Sequence, residues 1–252
     1  MNSSADMPSG DFHAKNLYSP EVIANPYPYY DLLRSKPIQY GLEDYPPGTV
    51  PGQDKPIPAW VILTHEHVAQ VCKNHQAFSS RDRMQEASEA PSLMLVNHDD
   101  PRHKELRNIA QKAFTPKRVE SDVSPWLKKT VDHMLAQEGD GYVDFMANLA
   151  PDLPARFMTK LLGTPEQDHK LLRRWANAFM VTADFTIEER NQCNKELFEY
   201  YTNAVAERYK TIEKGGALGD DLMTAFILAE SEGNKLTKEE VVLFCITLVV
   251  AG

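Results

Sequence analysis

Apolar residues recur at helical spacing along most of the chain, which predicts a mainly α-helical fold. Such patterns cover the ranges 20–35, 65–74, 101–114, 119–136, 142–162, 166–181, 187–213 and 221–230. Two short apolar runs near the start, Ile38–Tyr40 and Ala59–Leu63, are typical of strands. The proline-rich segment 41–58 between them predicts an extended loop, and the polar residues 1–16 predict a flexible arm. The pattern therefore indicates helices with a small β-sheet.

The last helical pattern differs from the others because it has no polar face. Thr237–Glu240 is a capping-box sequence, and residues 241–252 are then apolar on all sides. Such a helix is either buried in a large core or spans a membrane. Since nothing after Gly252 would cover it, we expect the chain to be the front part of a longer protein.

A helix predicted to start at Pro101 carries the most informative polar residues. Asp99 or Asp100 is suited to cap it. At about 3.6 residues per turn, His103 and Arg107 lie on one side, which we expect to face the interior. Buried cations need an anion, because an unpaired buried charge is costly. That anion is either an internal carboxylate or an acidic group of a bound ligand.

Composition and charge narrow the function classes. The formal net charge of -9 argues against nucleic acid or an anionic membrane as a partner. The three cysteines, Cys72, Cys193 and Cys245, lie far apart in the sequence, which favours a reduced, cytoplasmic protein. No metal site is expected from this pattern, and the first twenty residues contain no signal peptide or membrane anchor.

Several motifs in order resemble the bacterial, soluble cytochrome P-450 family of haem-thiolate monooxygenases. The similarity runs from about Asn25 to Gly252 and is most specific at 99–107 (DDPRHKELR). The common family form there is Asp-Pro-Pro-x-His-Thr-x-x-Arg; Asp100 replaces one proline and Lys104 the threonine. Weaker matches are Asn25–Tyr27, Trp60–His65, Phe78–Arg81, Phe114–Arg118, Leu161–Pro165, Asp220–Leu222, Leu236–Glu240 and Val249–Gly252.

The resemblance implies a P-450 fold, mainly α with a small β-sheet, truncated within its long central helix. Residues 17–252 would then be the N-terminal portion of a single domain. It also implies that His103 and Arg107 hold the propionates of haem b, iron protoporphyrin IX. The iron-ligating cysteine and the acid–alcohol pair that relays protons would lie beyond Gly252, so no catalytic or metal-binding residue is visible in this chain.

The resemblance further places a hydrophobic substrate in three regions. We expect the first at the end of the loop 84–96, the second where two helices meet and the third at the end of the last helix. The candidate residues are Leu93, Met94, Val96, Phe179, Val181, Leu248, Ala251 and Gly252. Ordinary core packing explains each of them equally well.

The function implied is insertion of one oxygen atom of O2 into a hydrophobic small molecule. Electrons would come from NAD(P)H through a ferredoxin or similar redox protein, for which Arg102, Lys112, Lys117 and Arg118 are candidate contacts. The alternative is a catalytically inert helical protein that binds a hydrophobic ligand or partner, which would suit a chain that truly ends at Gly252.

Overall fold

The computed structural model describes residues 12–45, 55–81, 93–113, 119–137, 141–179, 185–231 and 234–252. The chain forms two compact units, Met1–Ser88 and Glu89–Gly252. Within the described ranges, the first unit contains a three-stranded sheet and short helices, and the second is almost entirely helical. The predicted mainly α fold with a small β-sheet is confirmed.

The sheet of the first unit has the order β1-β2-β3. Its strands are β1 (Phe12–His13), β2 (Ile38–Glu43) and β3 (Ile57–Ile62). β1 runs parallel to β2, and β2 runs antiparallel to β3. The strands β2 and β3 take up both ends of the predicted loop 41–58, whose residues 46–54 lie outside the described residues. Pro58 is tolerated in β3 because this strand lies at the edge of the sheet.

Part of the predicted arm 1–16 belongs to this sheet. Phe12 and Ala14 are buried in a small core with Leu33. A Cβ atom on Gly41 would lie 2.3 Å from the Phe12 carbonyl oxygen, so only glycine allows β1 to approach β2 this closely. Burial of its two apolar residues therefore explains why the arm's end forms a strand and the start of a 3-10 helix, Ala14–Tyr18. Residues 1–11 lie outside the described residues.

The first unit also contains α1 (Pro20–Ala24), α2 (Tyr27–Arg34) and α3 (His65–Lys73). The sequence predicts one helix over 20–35, but the structure has two. Asn25 separates them with an extended backbone, φ -151° and ψ 94°. The cause is Pro26, because the ring of a proline disfavours helical backbone at the preceding residue.

Eight helices of the described part of the second unit follow. They are α4 (Arg102–Ala113), α5 (Ser124–Gln137), α6 (Phe145–Asn148), α7 (Asp152–Leu162), α8 (His169–Phe179), α9 (Ile187–Glu213), α10 (Leu222–Leu228) and α11 (Lys238–Ala251). The predicted helix 142–162 is two helices, since Pro151 precedes α7 and would break a continuous hydrogen-bond ladder. A two-residue hairpin, β4 (Glu230–Ser231) with β5 (Asn234–Lys235), follows α10.

Helix α11 is the centre of the second unit. It contacts α7, α8, α9 and α10, and Val241, Phe244 and Cys245 are almost fully buried. Its capping box is present, with Thr237 and Glu240 exchanging hydrogen bonds. Of the two predicted settings for this apolar helix, the structure shows the buried core. Within the described ranges, no helix is long and apolar enough to cross a membrane.

A buried charged cluster, which we call the Arg208 junction, ties three helices together. The Arg208 side chain on α9 lies 2.9 Å from the Asp221 carboxylate, which also caps α10. The same guanidinium donates to the Thr224 hydroxyl and, at 2.8 Å, to the Gly163 carbonyl at the end of α7. Gly163 has φ +66°, and a Cβ atom there would lie 2.2 Å from the Asp221 carboxylate. Glycine at position 163 therefore lets the end of α7 approach the Asp221 carboxylate this closely.

Candidate functional site

Helix α4 exposes Arg107 and partly exposes His103, contrary to the prediction that both face the interior. Leu106, Ile109 and Ala110 are its buried residues. At about 100° per residue, Arg107 lies roughly 100° from the centre of that apolar stripe. Arg107 is exposed, and the His103 side chain is 37% exposed. Both side chains therefore lie along the open edge of the helix.

The residues near this edge bear on whether the anion that pairs with His103 and Arg107 is an internal carboxylate or a bound ligand. His103 Nδ1 lies 3.5 Å from the Asp100 carboxylate, so an internal acid is available to His103. Arg107 forms no ion pair within the described part of the chain. An accessible guanidinium one helical turn from an imidazole suits the carboxylates of an external ligand, because both groups donate charge-assisted hydrogen bonds. The donor set thus fits haem propionates.

Arg102, one residue before His103, fixes the start of α4 to the start of α11. Its guanidinium bonds to Glu105, at 3.0 Å, and to Glu240. Partial burial opposes ionisation of Glu240, but hydrogen bonds from Thr237 and Arg102 prevail and lower the pKa of this carboxyl. Because both ion pairs engage the Arg102 guanidinium, this side chain is less available to contact a redox partner. The Lys112 side chain, Lys117 and Arg118 lie outside the described residues.

The segment that contains Leu93, Met94 and Val96 is bound to the central helix. Met94 is buried, and its backbone N–H donates to the Thr247 hydroxyl at 2.8 Å. Thr247 in turn donates to the Leu243 carbonyl. Leu93 is half-buried, whereas Val96 is 58% exposed. The structure therefore brings one predicted substrate region beside α11, with Met94 acting as its core anchor.

Replacement of Thr247 by valine is expected to lower the free energy of unfolding by about 1–3 kcal/mol, because the buried Met94 N–H loses its acceptor. Chemical denaturation followed by circular dichroism measures this change. The matched control is Thr247→Ser, which keeps the hydroxyl and is expected to lose much less. Equal losses in the two variants would mean that packing, not this hydrogen bond, anchors the segment.

A mostly apolar cleft of about 260 Å³ lies between α7, α8 and the end of α11. The predicted residue Gly252 lines it, and a Cβ atom there would lie 2.6 Å from the Met158 sulfur. Its walls include further apolar residues that the sequence analysis did not name as substrate contacts: Ala155, Met158, Leu172, Ala176, Val249 and Val250. Apolar residues at helical spacing predict the buried face of a helix, but this pattern does not distinguish the wall of a cleft from the core.

The remaining predicted substrate residues that the structure describes do not line this cleft. Phe179 and Leu248 are half-buried, and Ala251 is exposed. Val181 lies outside the described residues. The seven candidates that the structure describes therefore form no single pocket, although Met94 and Leu248 both lie at α11.

The cysteines have the properties of packing residues in the second unit. Cys193 and Cys245 are buried, and burial raises the pKa of both thiols. Cys72 is exposed in the first unit. Both buried thiols lie among apolar side chains in the core of the second unit, as packing residues do. Among the described residues, no cluster of three or more metal-binding side chains occurs.

Comparisons with known proteins agree on one family. The chain is 28% identical to the biotin biosynthesis cytochrome P450 of Bacillus subtilis over 95% of its length. It is 30% identical to the methyl-branched lipid omega-hydroxylase of Mycobacterium tuberculosis over 88% of its length. The solved structure of substrate-free CYP109E1 from Bacillus megaterium matches 90% of the chain with a TM-score of 0.71 and 25% identity. No protein-family profile matches the chain.

The chain is shorter than these proteins. It spans 59% of the Bacillus subtilis relative, 52% of the Mycobacterium tuberculosis relative and 57% of the CYP109E1 chain. The matches therefore concern somewhat more than half of each known protein.

Proposed function

The chain belongs to the bacterial cytochrome P450 family, and we propose that the whole protein is a haem-dependent monooxygenase that inserts one oxygen atom of O2 into a hydrophobic small molecule. The names of its relatives support this proposal, since they include a hydroxylase and a monooxygenase. The structural observation that carries it is the Arg107–His103 pair on the open edge of α4.

In this proposal the chain would hold haem b through the two propionate carboxylates of the haem. Arg107 would hold one propionate, because the planar fork of a guanidinium suits a carboxylate better than a lysine does. His103 would be the second residue that donates a hydrogen bond to the propionates. Haem b would supply the iron chemistry that activates O2. The resemblance implies that none of Cys72, Cys193 and Cys245 would bind its iron.

The proposed substrate is apolar because the candidate surfaces are apolar. Met94, held against Thr247, fixes the loop segment beside the central helix. Leu248 and Gly252 contribute apolar surface at the end of that helix, and Phe179 adds an aromatic ring from α8. Such walls bind a hydrophobic molecule by removing its surface from water. Two relatives named for lipid and steroid oxidation act on molecules of this chemical class.

The proposal includes a ferredoxin or similar redox protein as the electron donor and NAD(P)H as the electron source. In this proposal the electrons pass from NAD(P)H to the haem through that separate redox protein. A cytoplasmic location is supported by three cysteines that form no disulfide.

The carbon monoxide difference spectrum of the whole protein tests this function. After reconstitution with haem and reduction, the protein is expected to show the band of thiolate-bound haem. Absence of that band in the haem-loaded, reduced protein would overturn the assignment to a haem-thiolate enzyme.

The cysteines of this chain provide the matched controls for that spectrum. Cys193→Ala and Cys245→Ala are expected to keep the thiolate band, because both thiols are buried packing groups. Loss of the band in either variant, with haem still bound, would identify that residue as the iron ligand. It would contradict the proposal that the ligating cysteine is none of the three in this chain.

A further inference from the structure

A second, basic groove of about 650 Å³ lies at the surface of the second unit. Four of its lining residues are cations, Arg156, Lys170, Arg173 and Arg174, and among the described residues that line it Asp152 is the one carboxylate. Three side-chain amides also line it: Gln137, Asn148 and Asn177. This concentration of positive charge is unexpected in a chain with a formal net charge of -9. The groove is therefore a candidate anion site.

The charges of the groove are only partly neutralised within the chain. Arg173 lies 2.8 Å from Asp152, and Arg156 lies 3.6 Å from Glu166, whose side chain is 74% exposed. The buried Nε of Arg156 has no hydrogen-bond partner within the described residues. An unsatisfied buried donor carries a desolvation cost that a bound acceptor would remove.

The two remaining cations, Lys170 and Arg174, are exposed on α8. Lys170 forms no ion pair with any described residue, whereas Arg174 lies within electrostatic range of Glu189 and Glu196. Neither of these acids lines the groove. The groove thus keeps a positive potential that attracts anions and concentrates them.

The shape and lining of the groove favour an organic anion over a small inorganic one. Its volume exceeds that of a single phosphate, and Met134, Ala147 and Phe185 give it an apolar wall. Guanidinium groups bind phosphate oxygens in a fork geometry, and neutral amides add further donors. We propose that this groove binds a phosphate ester, with the phosphate on the arginines and the organic part against the apolar wall. This inference does not depend on the proposed function.

Binding of phenyl phosphate to the purified whole protein, measured by isothermal titration calorimetry, tests the proposal. We expect saturable binding that weakens as salt is added, with phenyl phosphate binding more tightly than inorganic phosphate and with no binding of phenol. The variant Lys170→Glu/Arg174→Glu is expected to weaken phenyl phosphate binding at least tenfold. Lys129→Glu is the matched control, because Lys129 is exposed on α5 and does not line the groove.

A second arm distinguishes a soluble phosphate ester from a lipid headgroup. Sedimentation with phosphatidylglycerol vesicles, with phosphatidylcholine vesicles as the reference, measures binding to the headgroup. If the protein binds the anionic vesicles and phenyl phosphate releases it from them, the groove binds a lipid headgroup. If the protein binds phenyl phosphate but no vesicles, the groove binds a soluble phosphate ester.

Three results would overturn the proposal. They are no saturable binding of phenyl phosphate, equal binding of phenyl phosphate and inorganic phosphate, or equal losses in the double variant and in Lys129→Glu. Circular dichroism and the thermal midpoint of each variant verify that it is folded, since all three substituted residues are exposed.

Discussion

Replacing Asp221 with alanine is expected to lower the free energy of unfolding by about 3–5 kcal/mol. Asp221 is 8% exposed and Arg208 is 16% exposed, so the substitution leaves a largely buried guanidinium without its carboxylate. It also removes the side chain that caps α10 by accepting from the Thr224 N–H. Three helices meet at the Arg208 junction, which is why one carboxylate has so large an effect. Urea denaturation of the purified chain measures the change.

An exposed ion pair provides the control for Asp221→Ala. Asp132 lies 2.7 Å from Lys128 on the surface of α5, where water screens both charges. Asp132→Ala is therefore expected to change the free energy of unfolding by less than about 1 kcal/mol. Asp221→Asn keeps a capping side chain but removes the charge, and we expect an intermediate loss. A loss from Asp221→Ala no larger than that from Asp132→Ala would show that the junction does not stabilise the fold.

Replacing Arg107 with alanine is expected to weaken haem binding by the whole protein by about 1.5–3 kcal/mol, the contribution of a hydrogen bond to a charged group. Every 1.4 kcal/mol is about a tenfold change in affinity. Arg107 is exposed and forms no ion pair with a described residue, so its removal leaves the fold intact and separates binding from stability. Transfer of haem to apomyoglobin, followed by absorbance, measures the loss.

Two variants of α4 sharpen the interpretation of Arg107→Ala. Arg107→Lys keeps the charge without the planar fork and is expected to recover part of the affinity. Lys104→Ala removes an exposed cation that lies about 60° around the helix from Arg107, on the side opposite the buried apolar stripe, and is expected to leave haem binding unchanged. Unchanged haem affinity in Arg107→Ala would contradict the propionate assignment and favour internal carboxylates as the partners of this pair.

Local chemistry made most helices of the described residues predictable. The capping boxes at Thr186 and Thr237 start α9 and α11 where the sequence pattern places them. The divisions at Pro26 and Pro151 were missed because apolar periodicity continues across each proline, while the backbone cannot. The strand β1 was missed for another reason, since two residues acquire this structure only by pairing with β2.

The candidate site was predictable as a set of residues but not as a geometry. The sequence places His103 and Arg107 one turn apart, and the structure keeps that spacing. The side that faces the core is decided by Leu106, Ile109 and Ala110, whose combined direction differs from the one the basic pair suggests. The cleft at Gly252 and the basic groove depend on residues from three or more helices, so no local pattern marks them.

The bond between Arg102 and Glu240 has a mechanical consequence. Glu240 also closes the capping box of α11, so the first turn of the central helix and the first turn of α4 share one carboxylate. A displacement of the α11 terminus must either break this pair or carry α4 with it. The positions of His103 and Arg107 are therefore coupled to the first turn of the central helix through the shared Glu240 carboxylate.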